Sequence, residues 1–386
     1  MDYFCPSIRM GLLTARALES ASLLRSVHVD VGLPPGRAAR LLERVAGPRA
    51  ANRVIADIPP ERLHLHPQIT VASRVRRRLM LAGRDTAAVD QVLSRLFASV
   101  ARQCRSEVVV GMQSCSVELF RDRAYRVMEQ VSPPLRYERA MAAAELDRFP
   151  GWAPPRVARS SAWDHRMESE WQSADQILVP SPHLIRLSAE FGAEPGKFRV
   201  VPYPVTLPPS AAERSWPIQK GRRLRLIFAG TLMLEKGVQY IYQALTKRPD
   251  LPVQMDFFGP VNLAPLGVSR LAEVGTVHGQ VPRSRLLAEF RRADALIFPS
   301  LSEGSALVTL EATALGLPVV ATGESGAPPS AMLIPARSPE AIIEAIEELA
   351  GDQSRLEKLS SAGLIEAANR NPAAYAGRVV GSLRGE

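Results

Sequence analysis

The chain has 386 residues, more than one hydrophobic core comfortably organises, so two domains are expected. With 46% apolar and 23% charged residues the composition is that of a globular protein and not of a disordered chain, and no run reaches the ~18 uncharged apolar residues needed to cross a bilayer. An excess of 48 Lys and Arg over 39 Asp and Glu gives +9, which favours anionic partners such as acidic headgroups, phosphorylated substrates or nucleic acid without choosing among them.

From Met1 to Gly11 there is no basic segment followed by an apolar one, so no signal peptide is expected. Cys5, Cys104 and Cys115 are odd in number and lack metal-ligand spacing, which fits buried thiols in a reducing cytosol. A helical stretch over 11–24 leads to a short strand over 27–32. Val71, Val75, Leu79 and Ala82 recur at helical spacing, with Arg74, Arg76, Arg77 and Arg78 between them. This helix either packs its apolar face in the core and solvates a basic face, or rests on an anionic membrane and presents a lipid-linked acceptor.

A helix around 89–105 precedes a buried-strand run over 107–111, and further strands are expected over 125–130, 176–180 and 199–205. Helices over 136–146 and 166–174 alternate with them, the pattern of a parallel sheet covered on both faces. Residues 206–221, rich in Pro and polar residues, read as an interdomain linker. Strands over 225–229, 254–258, 276–278, 295–299 and 318–321 then alternate with helices over 237–246, 282–293, 308–315 and 338–349. Ser338 is placed to cap the last of these, with Pro339 at its first position.

Residues 293–322, ADALIFPSLSEGSALVTLEATALGLPVVAT, carry the most chemistry. A buried strand ends in the loop SLSEGS, which feeds a helix. In an open α/β sheet, ligands bind at the carboxyl ends of the strands, and a helix beginning there turns its free N–H groups toward an anion. Gly304 allows close backbone approach, and Ser305 can cap or donate. Glu303 and Glu311 bracket the junction at up to about 12 Å if the intervening residues are helical. That span suits one carboxylate at a sugar, the other at a ribose, and a diphosphate between them. Residues 226–237, LIFAGTLMLEKG, form a second strand–loop–helix unit, with Gly230 at the strand end and Lys236 able to reach a phosphate. The G-x-x-x-x-G-K-S/T pattern of nucleoside-triphosphate loops is absent.

Both stretches resemble the donor-binding half of family-four glycosyltransferases. EGSALVTLE fits that family's E-x7-E signature, and FAGTLMLEKG its strand–glycine–K-G loop. The likeness extends upstream through DRFPGW and residues 168–205. It implies a GT-B fold: two Rossmann-like, doubly wound α/β domains of parallel strands facing a cleft. It also implies metal-independent transfer of a sugar from a nucleoside-diphosphate sugar with retention, using no cofactor. On this resemblance Glu311 holds the ribose, Glu303 faces the donor sugar, and Lys236 with Gly230 and Thr231 holds the diphosphate. The N–H groups of Ser305, Ala306 and Leu307, beside Gly304, line phosphate and sugar. Glu303 and Lys236 carry the catalytic role, since negative charge grows on the departing diphosphate.

The chain departs from the family in several places. Thr231 stands where many members have arginine, and Glu235 where a basic residue is frequent. Ser7, Arg9 and Gly11 occupy a shortened N-terminal glycine loop. Gln113 or Ser114 stands where many members carry an acceptor-side histidine. Residues 1–205, with a crossover helix over about 372–386, are expected to bind the acceptor, and residues 206–371 the donor. The expected partners are a nucleotide sugar, a saccharide or lipid-linked acceptor, and an anionic membrane surface through Arg74, Arg76, Arg77 and Arg78. Nucleic acid is not expected, because no aromatic stacking motif accompanies the charge. The expected location is the cytoplasm, peripheral on the inner membrane face. His64 and His66 share one face of a strand with no third ligand nearby, and His28, His165, His183 and His278 read as isolated structural residues. A catalytically silent binding protein and another GT-B enzyme, such as an epimerase, are the alternatives.

Overall fold

A computed structural model describes residues 1–6, 12–32, 55, 57–82, 84–154, 162–205 and 222–385. The expected linker over 206–221 and the residues Ser7, Arg9 and Gly11 lie outside these.

The first sheet is built from β1 (Asp2–Cys5), β2 (Ser26–Val29), β3 (Leu63–Leu65), β4 (Val108–Met112), β5 (Tyr125–Glu129), β6 (Gln176–Val179) and β7 (Phe198–Val200), in the order β3-β2-β1-β4-β5-β6-β7. Its central strands are short, β-branched and buried on both faces, as a parallel sheet sandwiched by helices requires. The second sheet is built from β8 (Leu224–Ala229), β9 (Val253–Phe258), β10 (Thr276–Gly279), β11 (Ala295–Phe298), β12 (Val319–Thr322) and β13 (Met332–Ile334), in the order β10-β9-β8-β11-β12-β13. Every strand pairing in both sheets is parallel. Two doubly wound α/β units therefore stand as expected, and in each the order reverses beside the first strand: at β1/β4 and at β8/β11.

In chain order the helices are α1 (Leu13–Ser20), α2 (Pro67–Leu81), α3 (Ala87–Gln103), α4 (Leu135–Arg148), α5 (Ala162–Ser173), α6 (His183–Glu190), α7 (Val238–Lys247), α8 (Pro265–Val274), α9 (Arg283–Arg292), α10 (Leu307–Ala314), α11 (Pro339–Gly351), α12 (Gln353–Asn369) and α13 (Pro372–Arg384). Ser338 caps α11 as its sequence implies, accepting from Ala341 N–H. The strand expected over 199–205 is shorter: β7 ends at Val200. Strands β3 and β13, and helices α6, α8 and α12, were not expected.

Each sheet anchors its own core, and segments of the chain cross between them in both directions. Met141 of α4, with Phe149 and Trp152 after it, is buried in the second core although it precedes β6 in the chain. Glu145, fully buried on the same helix, accepts from Gln239 (2.8 Å), the Tyr240 hydroxyl (2.7 Å) and Arg337 (2.7 Å). A buried carboxylate is tolerated when its lone pairs are used in this way. In the other direction, α13 returns to the first unit. Tyr375 and Val379 are buried in the first core, and the Tyr375 hydroxyl lies 2.8 Å from Thr14 Oγ1. Thr14 in turn donates to buried Glu129 at 2.9 Å, as Tyr3 does at 2.7 Å.

The basic helix α2 differs from its reading. Ile69 and Ala72 are its buried positions, whereas Val71 is 62% and Val75 42% exposed. Arg76 is not on a solvated face: its guanidinium pairs with Asp90 of α3 and lies 4.3 Å from the Trp163 ring centroid. Arg74, Arg77 and Arg78 are exposed. All three cysteines are buried and outside any disulfide. No helix among the described residues is long and apolar enough to cross a membrane.

Candidate active site at the switch point of the second sheet

The two central strands of the second sheet, β8 and β11, end side by side, and their loops interlock. Leu301 N–H donates to the Glu235 carbonyl at 2.9 Å, and the Ser300 hydroxyl donates to the same oxygen at 3.2 Å. The β8 loop closes on a single turn, Leu234–Lys236, ended by Gly237 at φ 74°. A side chain at Gly237 would place its Cβ 2.0 Å from the Pro299 carbonyl, so glycine is what lets the K-G turn pack against the end of β11. This packing carries Lys236 toward the second loop, where its ammonium pairs with the Glu303 carboxylate. Both side chains are about four-fifths buried, at 19% and 22% exposure. An ion pair in such surroundings is screened less than one on the open surface.

Gly304 and Ser305 continue the loop, and Leu307 opens α10. No side chain caps this helix. The N–H groups of Ser305 and Leu307 have no protein acceptor among the described residues. Together they give the junction an outward-facing positive end. Ala306 differs from expectation: its N–H is already given to the Ser325 carbonyl at 2.9 Å, so it lines nothing. Ser305 turns its hydroxyl to the Gly326 carbonyl at 3.2 Å and braces the loop against the turn after β12. Glu311, one turn from the end of α10, accepts from Arg283 at the start of α9, at 2.6 Å and 3.0 Å. Gly230, at φ 156°, and Thr231 follow β8 directly. The structure thus gathers Gly230, Thr231, Lys236, Glu303, Gly304, Ser305, Leu307 and Glu311 at the carboxyl edge of one sheet, on the two crossovers that flank its switch point.

The first unit meets this edge from the other side. A Cβ on Gly304 would fall 1.8 Å from the Val131 carbonyl, so the β11–α10 loop and the β5–α4 loop touch backbone to backbone. Gln113, at the end of β4, is spent holding that second loop: its carbonyl oxygen accepts from Val131 N–H (2.7 Å) and Ser132 N–H (3.0 Å), and its amide donates to Ser132 Oγ (2.6 Å). Ser114, at φ 70°, gives its N–H to Glu170 at 2.6 Å. Glu170 is fully buried, and burial raises its carboxyl to about 7 against the pull of nearby Arg166 and two backbone N–H groups. The Gln113 side chain is thus spent on shaping the neighbouring loop, whereas the bonds of Ser114 to Glu170 and Arg166 are made by its backbone.

Sequence reasoning missed His183. Read as isolated, it stands between the units with Nε2 2.6 Å from the Glu303 carbonyl oxygen. Its available signal was position: it opens α6 just after β6, at the carboxyl edge of the first sheet. The remaining histidines do not join the site. His28 stacks on His64 (4.6 Å) and His66 (5.3 Å), and burial holds it down at about 3. His278 stacks on Phe258 at 4.2 Å and pairs with Asp256 at 2.7 Å, while His165 is exposed beside Glu168. Among the described residues no group of three His, Cys, Asp or Glu side chains is arranged to hold a metal ion.

Residues 223–352, the second unit, match the family model described as "Glycosyl transferases group 1". Within the curated proteins, a D-inositol 3-phosphate glycosyltransferase from Arthrobacter sp. is 34% identical over 145 residues, covering 35% of this chain and 34% of that protein. A putative teichuronic acid biosynthesis glycosyltransferase of Bacillus subtilis is 31% identical over 134 residues, 33% of each chain. The chain thus spans about a third of the length of these curated relatives. The full two-domain fold is shared with solved GT-B structures. A sucrose-phosphate synthase from Thermosynechococcus elongatus superposes with a TM-score of 0.60 at 15% identity, covering 100% of this chain and 98% of that one. Anabaena HepE in complex with UDP and glucose gives 0.60 at 14%, covering 100% and 99%.

Proposed function

We propose that the protein is a retaining glycosyltransferase that moves a sugar from a nucleoside-diphosphate sugar to a hydroxyl acceptor without an essential metal. The observation that carries this reading is the meeting of Lys236 and Glu303 at the switch point, beside the uncapped start of α10, with Glu311 one turn into that helix. A diphosphate leaving group gains negative charge in the transition state. Lys236 and the N–H groups of Ser305 and Leu307 answer that charge from fixed positions, which is electrostatic stabilisation without reorganisation. Glu303 faces the donor sugar hydroxyls, Glu311 holds the ribose with Arg283 fixing its carboxylate, and Gly230 and Thr231 complete the phosphate floor. The group-1 match of residues 223–352 supports the donor half of this account. The relatives' acceptors are not carried over, because the family match lies in the second unit. The test is incubation with a panel of nucleoside-diphosphate sugars and pooled saccharide and glycolipid acceptors. Nucleotide release coupled to a product of unchanged anomeric configuration is expected; no turnover with any donor, or an epimerised sugar nucleotide, contradicts it.

The exposed Val71 and Val75, set between exposed Arg74, Arg77 and Arg78 on α2, favour an acceptor presented at an anionic membrane surface. Sedimentation with phosphatidylglycerol vesicles, lost on Val71→Asp with Val75→Asp and absent with neutral vesicles, is the expected outcome. Equal binding by the variant contradicts it.

A further inference from the structure

We propose that Ser181 and His183 position the donor loop, gripping the carbonyls of Glu303 and Gly304 from the facing unit and so aiming the Glu303 carboxylate and the N–H groups after it into the donor crevice. This inference rests on the proposed function for what the loop does, but not for the grip itself. Ser181 is buried and its hydroxyl donates to the Gly304 carbonyl. His183 Nε2 meets the Glu303 carbonyl at 2.6 Å, and His183 Nδ1 lies 3.0 Å from Ser181 Oγ. A Cβ on Gly326, at φ 60°, would lie 2.7 Å from the Gly304 carbonyl and 3.1 Å from the His183 ring, so the turn after β12 closes the other side of the contact. Two consecutive carbonyls are therefore turned toward the first unit. This leaves the Ser305 and Leu307 N–H groups and the Glu303 side chain for the opposite face.

Proton counting makes the grip pH-dependent. A carbonyl oxygen only accepts, so Nε2 must carry a hydrogen for Glu303, and the single Ser181 hydrogen is spent on Gly304. The contact between Nδ1 and Ser181 Oγ is then a hydrogen bond only if Nδ1 also carries a hydrogen. All three bonds coexist in the imidazolium form; the neutral ring must give up one. Burial lowers the proton affinity of the ring overall; the bond to the Glu303 carbonyl and the charge of Glu324, from the turn after β12, favour the charged form, and Arg186 from its own helix opposes it. The Glu303 carboxylate is turned to Lys236. Acid thus tightens the grip.

The experiment compares the full chain with His183→Ala, His183→Gln and Ser181→Ala. Amide hydrogen exchange over residues 300–308 should speed up at least tenfold in His183→Ala with exchange in the other strands unchanged, and should recover largely in His183→Gln, whose amide can still donate to Glu303. In wild type, the protection factors of these amides should rise as pH falls below the ordinary imidazole value of 6.5, since burial lowers the His183 titration beneath it; in His183→Gln that pH dependence should vanish. With a donor and acceptor in hand, His183→Ala should lower kcat at least tenfold, and His183→Gln should recover most of it. Exchange over 300–308 unchanged in His183→Ala overturns the grip. Equal impairment by Ala and Gln with global loss of protection shows a merely structural role and overturns positioning. Because exchange needs no substrate, an absence of turnover in wild type refutes the glycosyltransferase reading while leaving these outcomes readable.

Discussion

Lys236 and Glu303 form an ion pair that ties the loop after β8 to the loop after β11, bridging the point where the strand order of the second sheet reverses. The two residues are 67 apart in sequence, and they meet because Gly237 lets the K-G turn press on Pro299. A cation and an anion held together at the carboxyl edge of a parallel sheet are suited to a ligand that carries both a diphosphate and hydroxyl groups.

Lys236→Ala should therefore lower kcat of transfer by about 10²–10³-fold, the usual consequence of removing one preorganised group from a developing anion. Its effect on folding should be smaller than its effect on rate, because Glu303, 22% exposed, still reaches water once its partner is gone. Steady-state kinetics beside a urea titration separates the two. A rate within threefold of wild type, or a stability loss matching the rate loss, would count against the role given to Lys236.

Gly304→Ala adds one methyl group where the Val131 carbonyl leaves no room. The contact lies between units and not inside either core, so the two sheets should keep their stability while the loops are pushed apart. Activity should fall at least tenfold, and calorimetry should show a melting shift of only a few degrees. Unimpaired turnover would mean that backbone contact between the loops is not needed.

Glu145→Leu should destabilise the protein by about 3–5 kcal/mol, since it strands the buried ends of Gln239, Tyr240 and Arg337 that now share one carboxylate. Because α4 comes from the first unit and these partners from the second, the loss should also appear as uncoupled melting of the two units. A single transition at the wild-type temperature would contradict this.

Glu170 gives a pH signature. Burial raises its carboxyl to about 7, so between its ordinary value near 4.5 and about 7 the folded chain holds a proton that the unfolded chain has released. Stability from this group is full below that window and is lost as pH rises through it, by on the order of 3 kcal/mol in all. Urea titrations at pH 5 to 8 should show a shallower fall for Glu170→Gln than for wild type, whatever the variant's baseline. Parallel curves would contradict the assignment.

The alternation of strands and helices, and the EGSALVTLE and EKG stretches, made the two sheets and the loops at the carboxyl edge of the second legible, because they depend on local periodicity and on loops that follow strands directly. What was not legible depends on partners far along the chain. On α2, two apolar stripes compete, Ile69 with Ala72 and Val71 with Val75. Periodicity does not say which one α3 covers, and Arg76 enters the buried side through Asp90 and Trp163. The Ala306 N–H looked available until Ser325, on the next crossover, was seen to take it. His183 carries no spacing signal, since its partner lies 120 residues away. Strands β3 and β13 are three residues each, too short to show a period, whereas α12 did have a readable start in Asp352, which caps Ser354 N–H.

Titrating nucleoside diphosphates into wild type and Lys236→Ala by isothermal calorimetry tests the donor site most directly. One diphosphate should bind wild type in the micromolar range, about −8 kcal/mol, and bind the variant at least tenfold more weakly, a difference of about 1.4 kcal/mol. Heats indistinguishable from dilution for every nucleotide, or equal affinity in both proteins, would contradict a diphosphate seated between Lys236 and the start of α10.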